Sequence, residues 1–347
     1  MVGLIYGSAA LALDSLTPSQ LAFIHALPKA ELHAHLNGSI PVSELREMAL
    51  EFNSRTSDKA ASDLVHDGIT KLQNGVVLDE IYDFFNLFPA IYALTSNPAS
   101  LGRATRAVLE QFLGGSYPQC TYLELRSTPR ETADMSRLDY VRTVLDEVER
   151  YPKSRAALIV SLDRKMSAEV IQECVGVASQ LKAEGRRVVG VDLCGDPQAG
   201  DMNILGEHFA DAKKAGLGIT LHIAETPANP ADETIQLLSY APDRLGHATF
   251  LNDEAKAIVR GNKTCIELCL SSNLLCKTVT KLEDHHIRYY LQHDHPIAIC
   301  TDDTLPFRTS LTGEYALLLA AQPLGLGLSE GEVRRIAEMS MAARFGQ

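Results

Sequence analysis

The sequence is poor in basic residues compared with acidic ones. Lys and Arg number 32 against 44 Asp and Glu, so the formal net charge is −12 at pH 7. A strongly acidic chain is a weak candidate for non-specific binding to nucleic acid or to an anionic membrane surface. A small anionic ligand is still compatible with this charge, because one local basic residue can hold a phosphate. We therefore expect neither nucleic acid nor a membrane among the partners.

The sequence also lacks a disulfide framework and a membrane span. Its seven cysteines are an odd number, form no CxxC motif and lie in part within apolar runs, as Cys120, Cys194, Cys269 and Cys300 do. Reduced, buried thiols in a cytoplasmic protein are the expected state. No uncharged run approaches the length of a transmembrane helix. The apolar start MVGLIYGSAALAL has no basic residues before it and predicts a helix or an irregular start, with a cleaved signal as the alternative.

No linker, low-complexity tract or block of like charge divides the chain. Hydrophobic residues make up 46% of it, which is enough for a large core. We therefore predict one domain over residues 1–347, and a monomer. Residues 1–27 form an N-terminal extension, in which Thr17 can cap a helix that has Pro18 in its first position. Residues 42–114 contain no strand candidate and predict a helical insertion after the first strand.

Short β-branched or apolar runs alternate with longer amphipathic segments along the rest of the chain. This alternation implies parallel strands joined by right-handed crossovers. Eight such units close into a (β/α)8 TIM barrel. An open doubly wound sheet is the competing fold, but it usually has fewer strands, and the sequence has no GxGxxG motif. The eight candidate strands are residues 30–36, 120–126, 157–163, 188–194, 218–224, 243–248, 264–270 and 296–302.

The insertion ends in the aromatic-rich run IYDFFNLFPAIYAL, residues 81–94. Insertions on this side of a barrel often form lids over the active site. The helical spacing of Phe84, Phe85 and Phe88 first of all fits a stripe that faces the core. Phe88 is in addition a candidate contact to the substrate.

Reactive side chains fall at the ends of the predicted strands. Catalytic residues of a barrel cluster at the C-terminal ends of its strands, and two histidines at i and i+2 share one face of a strand. Three histidines and a carboxylate suit a borderline or hard divalent ion, zinc first and iron second. Such an ion lowers the pKa of its bound water towards neutrality. The residues that fill this set are His33, His35, His222 and Asp302.

Three further groups at the same rim remain for proton transfer and orientation. Glu225 and Asp303 each follow a metal-ligand candidate in the chain, and His247 lies in the sixth strand. Each has a plainer interpretation, because two adjacent aspartates can form a turn and a glutamate can favour the start of a helix. The buried run before the aspartates and the three-residue spacing from His222 to Glu225 favour the functional interpretation.

Four separated motifs occur in one order and spacing: HAHLNGS, LHIAE, LGHAT and CTDD. Together they resemble the adenosine deaminase family of zinc amidohydrolases, and the resemblance extends from about Leu27 onward. PKAELHAHLNGS, YLELRSTPR, DLCGDP and PDRLGHATFL resemble one branch of that family in particular, the branch that acts on N6-methyl-AMP. The resemblance implies a metal-dependent barrel that deaminates a purine.

The resemblance also implies roles for single residues. One Zn²⁺ per chain would be held by the three histidines and the aspartate named above. Glu225 would protonate N1 of the purine, His247 would orient or deprotonate the metal-bound water, and Asp303 would hold the attacking hydroxide and the purine. Gly195 would contact the ring through its backbone. Ala248 departs from the family pattern, which usually has glycine after the histidine of the sixth strand.

The residue type at position 37, here asparagine, bears on whether the substrate is a nucleoside or a nucleoside monophosphate. In the nucleoside-type adenosine deaminases an aspartate at this position accepts a hydrogen bond from the 5′-hydroxyl of ribose. A carboxylate would repel a 5′-phosphate in a low-dielectric pocket, whereas an amide is uncharged and can donate. The STPR segment supplies two hydroxyls and a guanidinium for a phosphate, and Asp163 could contact the ribose or orient Arg130; a simple turn with a solvated arginine is the alternative. The predicted substrate-binding residues are His35, Asn37, Phe88, Ser127, Thr128, Pro129, Arg130, Asp163, Gly195, Glu225 and Asp303.

The predicted function is zinc-dependent hydrolytic deamination of a 6-(alkyl)aminopurine nucleoside monophosphate. The resemblance implies N6-methyl-AMP as the substrate, with IMP and methylamine as products. An adenosine or adenine deaminase is the alternative enzyme, and a metal-binding barrel without catalysis is the alternative outside enzymes. Retention of Glu225, His247 and Asp303 argues against the inactive barrel.

Overall fold

The computed structural model describes residues 5–55, 59–74 and 88–346. Its eight strands are parallel and each pairs with the next in chain order. The last strand returns to the first through Asp302, whose backbone N–H donates to the carbonyl of His33 at 2.8 Å. The predicted (β/α)8 barrel is therefore confirmed. The strands are β1 Ala30–His35, β2 Tyr122–Ser127, β3 Ala156–Asp163, β4 Val188–Cys194, β5 Gly218–Ile223, β6 Arg244–His247, β7 Cys265–Leu268 and β8 Ile297–Ile299.

Two helices precede the barrel. The first, α1 Gly7–Ser15, ends two residues before Thr17, and the second is α2 Pro18–Ala26. Thr17 accepts a hydrogen bond from the backbone of Gln20, whose side chain accepts one from the backbone of Thr17. This capping box and the proline in the first turn start α2 where the sequence predicted.

The insertion after β1 consists mainly of helices in its described residues. Its helices are α3 Val42–Arg55, α4 Lys59–Asn74, α5 Phe88–Leu94 and α6 Pro98–Leu113. The predicted stripe residues Phe84 and Phe85 lie outside the described residues. Buried apolar residues from the extension, the insertion and the barrel belong to one continuous hydrophobic cluster. That continuity supports the interpretation of the chain as one domain.

The remaining helices follow the strands and surround the barrel. Among them no described helix combines the length and the hydrophobicity that a bilayer crossing requires. These helices are α7 Arg137–Val148, α8 Ala168–Ala183, α9 Leu205–Lys214, α10 Ala231–Ser239, α11 Asp253–Asn262, α12 Leu270–Leu275, α13 Ile287–Gln292, α14 Thr304–Phe307, α15 Leu311–Leu319 and α16 Glu330–Ala342.

Charged side chains fill the interior of the barrel beneath the C-terminal ends of the strands, where branched aliphatic residues usually pack. Arg244 reaches Glu124 and Glu267, each at 2.7 Å, and Arg126 reaches Glu267 at 2.8 Å and Asp192 at 3.3 Å. All five side chains are at most 1% exposed. Because a buried charge is costly without a partner, this layer of ion pairs stabilises the barrel only as a set.

The C-terminal segment closes the floor of the barrel, which is the end at which the strands begin. The ring of Phe345 lies against Gly190 and Gly218, where a Cβ atom would approach it to 2.9 Å or less. The guanidinium of Arg244 stacks on this ring at 3.6 Å, and Glu124 accepts a hydrogen bond from the Phe345 N–H at 2.7 Å. The two glycines therefore make room for an aromatic plug beneath the charged layer.

Candidate metal and catalytic site

Four predicted ligands converge at the C-terminal rim of the barrel. One donor atom from each lies within 4.8 Å of all the others. The Nε2 atoms of His35 and His222 are 3.2 Å apart, and Oδ1 of Asp302 lies 3.5 Å from Nε2 of both His33 and His35. Two ligand atoms bound at about 2.0–2.1 Å to a tetrahedral ion lie about 3.3 Å apart. The donor set therefore fits one divalent ion.

Two histidines are aimed by hydrogen bonds on their far nitrogens. His33 is held through Nδ1 by Glu267 at 2.7 Å, which leaves its Nε2 buried and without a hydrogen-bond partner. His222 donates from Nδ1 to the carbonyl of Leu193 at 2.8 Å and lies 3.0 Å from Asp192. Such partners fix the tautomer of a metal-binding imidazole and direct its free lone pair. The free Nε2 atoms of both rings consequently face the cluster.

Asp302 is held in an uncommon conformation. Its φ is +60°, its backbone closes the barrel, and its Oδ2 accepts a hydrogen bond from Ser272 at 2.8 Å. Burial opposes ionisation, but the hydrogen bond to His33 and the surrounding imidazoles hold the pKa of Asp302 well below its usual range. The side chain is therefore an anion, as a metal ligand must be.

The three predicted catalytic groups lie beside this cluster. Nε2 of His247 is 3.7 Å from Glu225 and 3.9 Å from Asp302. Burial, with a smaller contribution from Asp302, raises the pKa of Glu225 to about 7. Burial also keeps the pKa of His247 well below its usual range. A protonated carboxylic acid and a neutral imidazole are thus available near neutral pH, the pair that general acid–base catalysis uses.

Asp303 occupies a space that Gly38 leaves open. A Cβ atom on Gly38 would overlap the Asp303 carboxyl at 1.4 Å, so no larger residue fits there without moving it. Oδ1 of Asp303 is buried and has no hydrogen-bond partner. Burial and the neighbouring Asp302 carboxylate raise the pKa of Asp303 well above its usual range. Its carboxyl is therefore available to a ligand in the cavity.

The cavity at the rim brings most of the predicted site residues together. Cys194, Cys276, Tyr92, Phe307, Leu36 and Arg126 also line it and were not predicted. Pro129 and Arg130 are absent from the lining that the described residues form. The predicted residues on the lining are His35, Asn37, Phe88, Ser127, Thr128, Asp163, Gly195, His222, Glu225, His247, Asp302 and Asp303.

A chain of hydrogen bonds fixes the amide of Asn37. The hydroxyl of Tyr140 donates to Oδ1 of Asn37 at 3.2 Å, and Nδ2 of Asn37 donates to Thr95 at 3.2 Å. Because the single hydroxyl proton of Tyr140 is used in this way, Ser127 must donate to Tyr140 at 2.7 Å. The second N–H of the Asn37 amide takes no part in this chain of hydrogen bonds. The amide orientation is therefore set by the protein.

The guanidinium of Arg130, which the sequence suggested as a phosphate contact, is bound by groups of the protein itself. Its guanidinium donates to the hydroxyl of Thr95 at 2.7 Å and to the carbonyl of Tyr92 at 3.3 Å, and it stacks on the Tyr92 ring at 4.1 Å. Asp163 does not orient it either, among the contacts of the described chain. Asp163 accepts from the backbone of Lys165 at 2.8 Å. Arg130 thus anchors the end of α5 to the barrel.

The supporting residues of the site escaped the sequence analysis. Glu267 and Asp192 interrupt otherwise apolar strands, and this interruption is the signal that could have identified them as inward-facing. Tyr140 and Thr95 carry no such signal. Tyr140 lies within an ordinary amphipathic helix, and Thr95 directly follows the end of one. His285 and His295 lie outside the predicted strands, yet both are only 1% exposed. Neighbouring chain segments cover both rings, and sequence spacing does not reveal such cover.

The fold and the rim site define a class: (β/α)8 barrels with a cluster of histidines and an aspartate at the rim that could hold a metal ion. Within it, the family model described as Adenosine deaminase matches residues 28–346. The chain belongs to the adenosine deaminase family, which is metal-dependent.

Similar proteins come from animals and plants. The human N6-methyl-AMP deaminase is 36% identical over 330 residues, which cover 90% of this chain and 88% of that protein. The apo structure of the N6-methyl-AMP deaminase from Arabidopsis thaliana is 32% identical, has a TM-score of 0.81 and covers 94% of both chains. The Arabidopsis protein ADAL complexed with IMP is 32% identical, has a TM-score of 0.79 and covers 93% of both chains.

Proposed function

We propose that this chain is a zinc-dependent aminohydrolase that converts N6-methyl-AMP and water into IMP and methylamine. The observation that carries the proposal is one cavity lined by three of the four metal-ligand candidates, an acid–base pair and an uncharged amide. The similarity to proteins named N6-methyl-AMP deaminase and to a structure with bound IMP supports the same substrate class.

The side chains divide the chemistry among them. A bound divalent ion supplies a water of lowered pKa. His247, neutral because its pKa is depressed, accepts the proton that this water loses on attacking C6 of the purine. Glu225, protonated below a pKa of about 7, donates a proton to N1. Asp303 orients the attacking group. The C6–N6 bond then breaks, methylamine leaves with the proton held by His247, and the C6 hydroxyl returns a proton to Glu225 as the carbonyl of IMP forms.

Zinc is the proposed ion because the donor set is three imidazoles and one carboxylate, which suits a borderline cation. Hydrolysis at C6 requires a Lewis acid and no change of oxidation state. Metal analysis of the purified protein should give about one zinc per chain. Removal of the metal by a chelator should abolish turnover, and added Zn²⁺ should restore it. Full activity of a metal-free preparation would refute this part of the proposal.

The 5′ end of the substrate is proposed to lie towards Asn37. At this end the cavity offers an N–H of the Asn37 amide and the hydroxyl of Thr128, both neutral groups, while the Ser127 hydroxyl is used by Tyr140. Neutral donors can bind a phosphate by hydrogen bonds, and a carboxylate in the place of Asn37 would repel it. Arg130 supports this group of donors through Thr95 and does not need to touch the phosphate.

A panel of four substrates tests the proposal: adenosine, N6-methyladenosine, AMP and N6-methyl-AMP, followed by ultraviolet absorbance. We expect N6-methyl-AMP to give the highest kcat/KM and the two nucleosides the lowest. Preference for adenosine over both nucleotides would identify a nucleoside deaminase. Lack of turnover of all four by zinc-loaded protein would identify an inactive barrel.

The variant N37D tests the phosphate assignment. A carboxylate close to a 5′-phosphate should lower the ratio of kcat/KM for AMP to that for adenosine by about a hundredfold. The new carboxylate can also accept a hydrogen bond from a 5′-hydroxyl, so adenosine should not suffer. If the ratio is unchanged in N37D, the phosphate does not lie beside residue 37.

A further inference from the structure

His247 is held by its backbone and not by its ring. Both ring nitrogens are buried without a hydrogen-bond partner. The ring centroid lies 5.0 Å from that of His33 and 5.2 Å from that of His222, and Nε2 lies 3.7 Å from Glu225 and 3.9 Å from Asp302, beyond hydrogen-bond distance. A catalytic base needs one free nitrogen to accept a proton, and a hydrogen bond usually holds its other nitrogen. His247 lacks this second hydrogen bond. The direction of this ring must therefore be set by the chain segment that carries it.

That segment has an uncommon backbone. His247 has φ +59° and Ala248 has φ +49°, so two successive residues other than glycine are left-handed. This conformation is unfavourable for residues other than glycine in the absence of compensating contacts. Ala248 donates to the carbonyl of Gly246 at 2.8 Å, and this bond tightens the turn. Contacts from outside β6 must hold the turn in this shape.

His286 supplies one of these contacts. Its Nε2 donates to the backbone carbonyl of His247 at 2.8 Å. His286 stands at the start of α13 but makes no capping bond to that helix, so its ring is free to serve the neighbouring turn. Its other nitrogen, Nδ1, is buried and has no hydrogen-bond partner. The bond to His247 is thus the one polar contact of this ring among the described residues.

The ring of His286 is itself held in place. It stacks on His285 with a centroid distance of 4.3 Å and an angle of 18°. Both nitrogens of His285 are used, since Nδ1 accepts from Ile287 at 3.0 Å and Nε2 donates to Asn273 at 3.0 Å. Asn273 in turn donates to Thr249 at 3.4 Å, two residues after His247. The turn is therefore contacted at two points by one connected group of side chains.

We infer that His286 is a positioning residue for the catalytic base: its hydrogen bond to the His247 carbonyl holds the left-handed turn that aims the His247 imidazole. The inference rests on the proposed role of His247. Loss of this bond lets the turn relax and moves the imidazole, while the metal ligands and the phosphate end keep their own supports. Misplacement of a catalytic group by about 1 Å can cost about a hundredfold in rate.

Two variants of His286 test the inference. H286F keeps a ring that can stack on His285 but has no donor, whereas H286Q places an amide N–H at the position of Nε2. In the zinc-loaded enzyme, H286F should lower kcat about tenfold to a hundredfold with KM within about threefold. H286Q should restore kcat to within about threefold of the wild type.

The matched control is H293F. His293 follows the same helix, is exposed, and donates from Nδ1 to the carbonyl of Tyr289 at 2.8 Å, so it loses an equivalent bond away from the site. H293F should keep the wild-type kcat, and zinc content should be one per chain in all three variants. If H286F does not fold, H286N replaces it, because its amide reaches only the Nδ1 position and should show the same loss.

Three results would overturn the inference: wild-type kcat in H286F, equal loss in H286F and H286Q, or loss of zinc in parallel with loss of kcat. H247A separates this inference from the proposed function. Wild-type kcat in H247A would refute the role of His247 itself. An inactive H247A together with a fully active H286F would refute only the positioning role.

Discussion

The rim and the floor of this barrel use the same residue types in opposite ways. At the floor, Arg244 is paired with two carboxylates, and Phe345 seals this part of the barrel from below. At the rim, Asp303 and His247 keep buried polar atoms without hydrogen-bond partners. Paired charges at the floor favour stability, and unpaired groups at the rim are free to react with a ligand.

The backbone shows the same contrast. Left-handed residues on the floor side, such as Lys263 and Ala241, follow the ends of helices, where this conformation is an ordinary helix terminus. Left-handed residues at the rim, His247 and Asp302, stand at strand ends, where no such terminus requires them. Strain at the rim therefore coincides with the groups that carry the proposed chemistry, as is common at functional sites.

The largest expected effect comes from replacing Glu225, the proposed proton donor at the rim. E225Q keeps the shape of the side chain but removes the proton that the purine N1 would receive. We expect kcat to fall about 10³- to 10⁴-fold, with zinc content and KM little changed. Stopped-flow or steady-state absorbance on N6-methyl-AMP measures the change. A kcat close to that of the wild type would show that another group is the proton donor.

The next effect concerns the floor. R244M leaves Glu124 without its arginine in a buried layer, and breaking a buried pair in this way costs about 3–5 kcal/mol. Urea unfolding should therefore show a large loss in the free energy of unfolding. R335M is the matched control, because Arg335 pairs with Asp294 at the surface, where both side chains are more than half exposed. Equal stability of the two variants would contradict the contrast between floor and rim.

The sequence predicted all eight strands because short stretches rich in apolar or β-branched residues alternate with longer amphipathic segments, which is typical of parallel strands joined by helices. The ends were less accurate where the backbone turns. The last strand was predicted to reach residue 302, but β8 ends at Ile299 and Asp302 is left-handed. The metal-ligand set could be predicted because HxH and the strand-end residues combine local spacing with a shared rim.

The contacts around Asn37 could not be predicted in the same way. Tyr140 lies 103 residues away in the chain, and Thr95 belongs to the insertion. Arg130 was expected to point into the cavity, but its direction depends on Tyr92 and Thr95, which the insertion folds over it. Local spacing carries no information about such partners, because only the packing of the insertion on the barrel brings them together.

A smaller effect concerns Lys29, a floor cation that donates hydrogen bonds to the carbonyls of Ile24 and Leu27. Burial lowers its pKa to about 8, against about 10.4 in the unfolded chain. Between these values the unfolded chain binds more protons than the folded one, so this lysine makes stability rise with pH. The contribution is roughly 1–2 kcal/mol between about pH 8 and about pH 9.5.

The variant K29M isolates this contribution, because wild type and variant carry the same seven cysteines, whose titration also affects stability in this range. The difference in unfolding free energy between the two proteins should change in favour of the wild type as the pH rises. K214M, at an exposed lysine paired with Asp211, should show no comparable change. A difference independent of pH would mean that Lys29 is not buried as a cation at the floor.

The smallest expected effect tests whether the hydrogen-bond chain at the rim selects the substrate. Y140F removes the hydroxyl that donates to Asn37 and accepts from Ser127, and leaves the ring in place. One net hydrogen bond is worth about 0.5–1.5 kcal/mol, so KM for AMP should rise about twofold to tenfold. Without Tyr140 as a donor, the Asn37 amide is free to turn its oxygen towards the phosphate, which weakens binding of AMP. Adenosine has no phosphate, so its KM should change less. Y151F, which loses an exposed hydroxyl bonded to Glu110, is the control and should leave both constants unchanged. Equal increases for AMP and adenosine would mean that Tyr140 only stabilises the rim and does not set its preference for a phosphate.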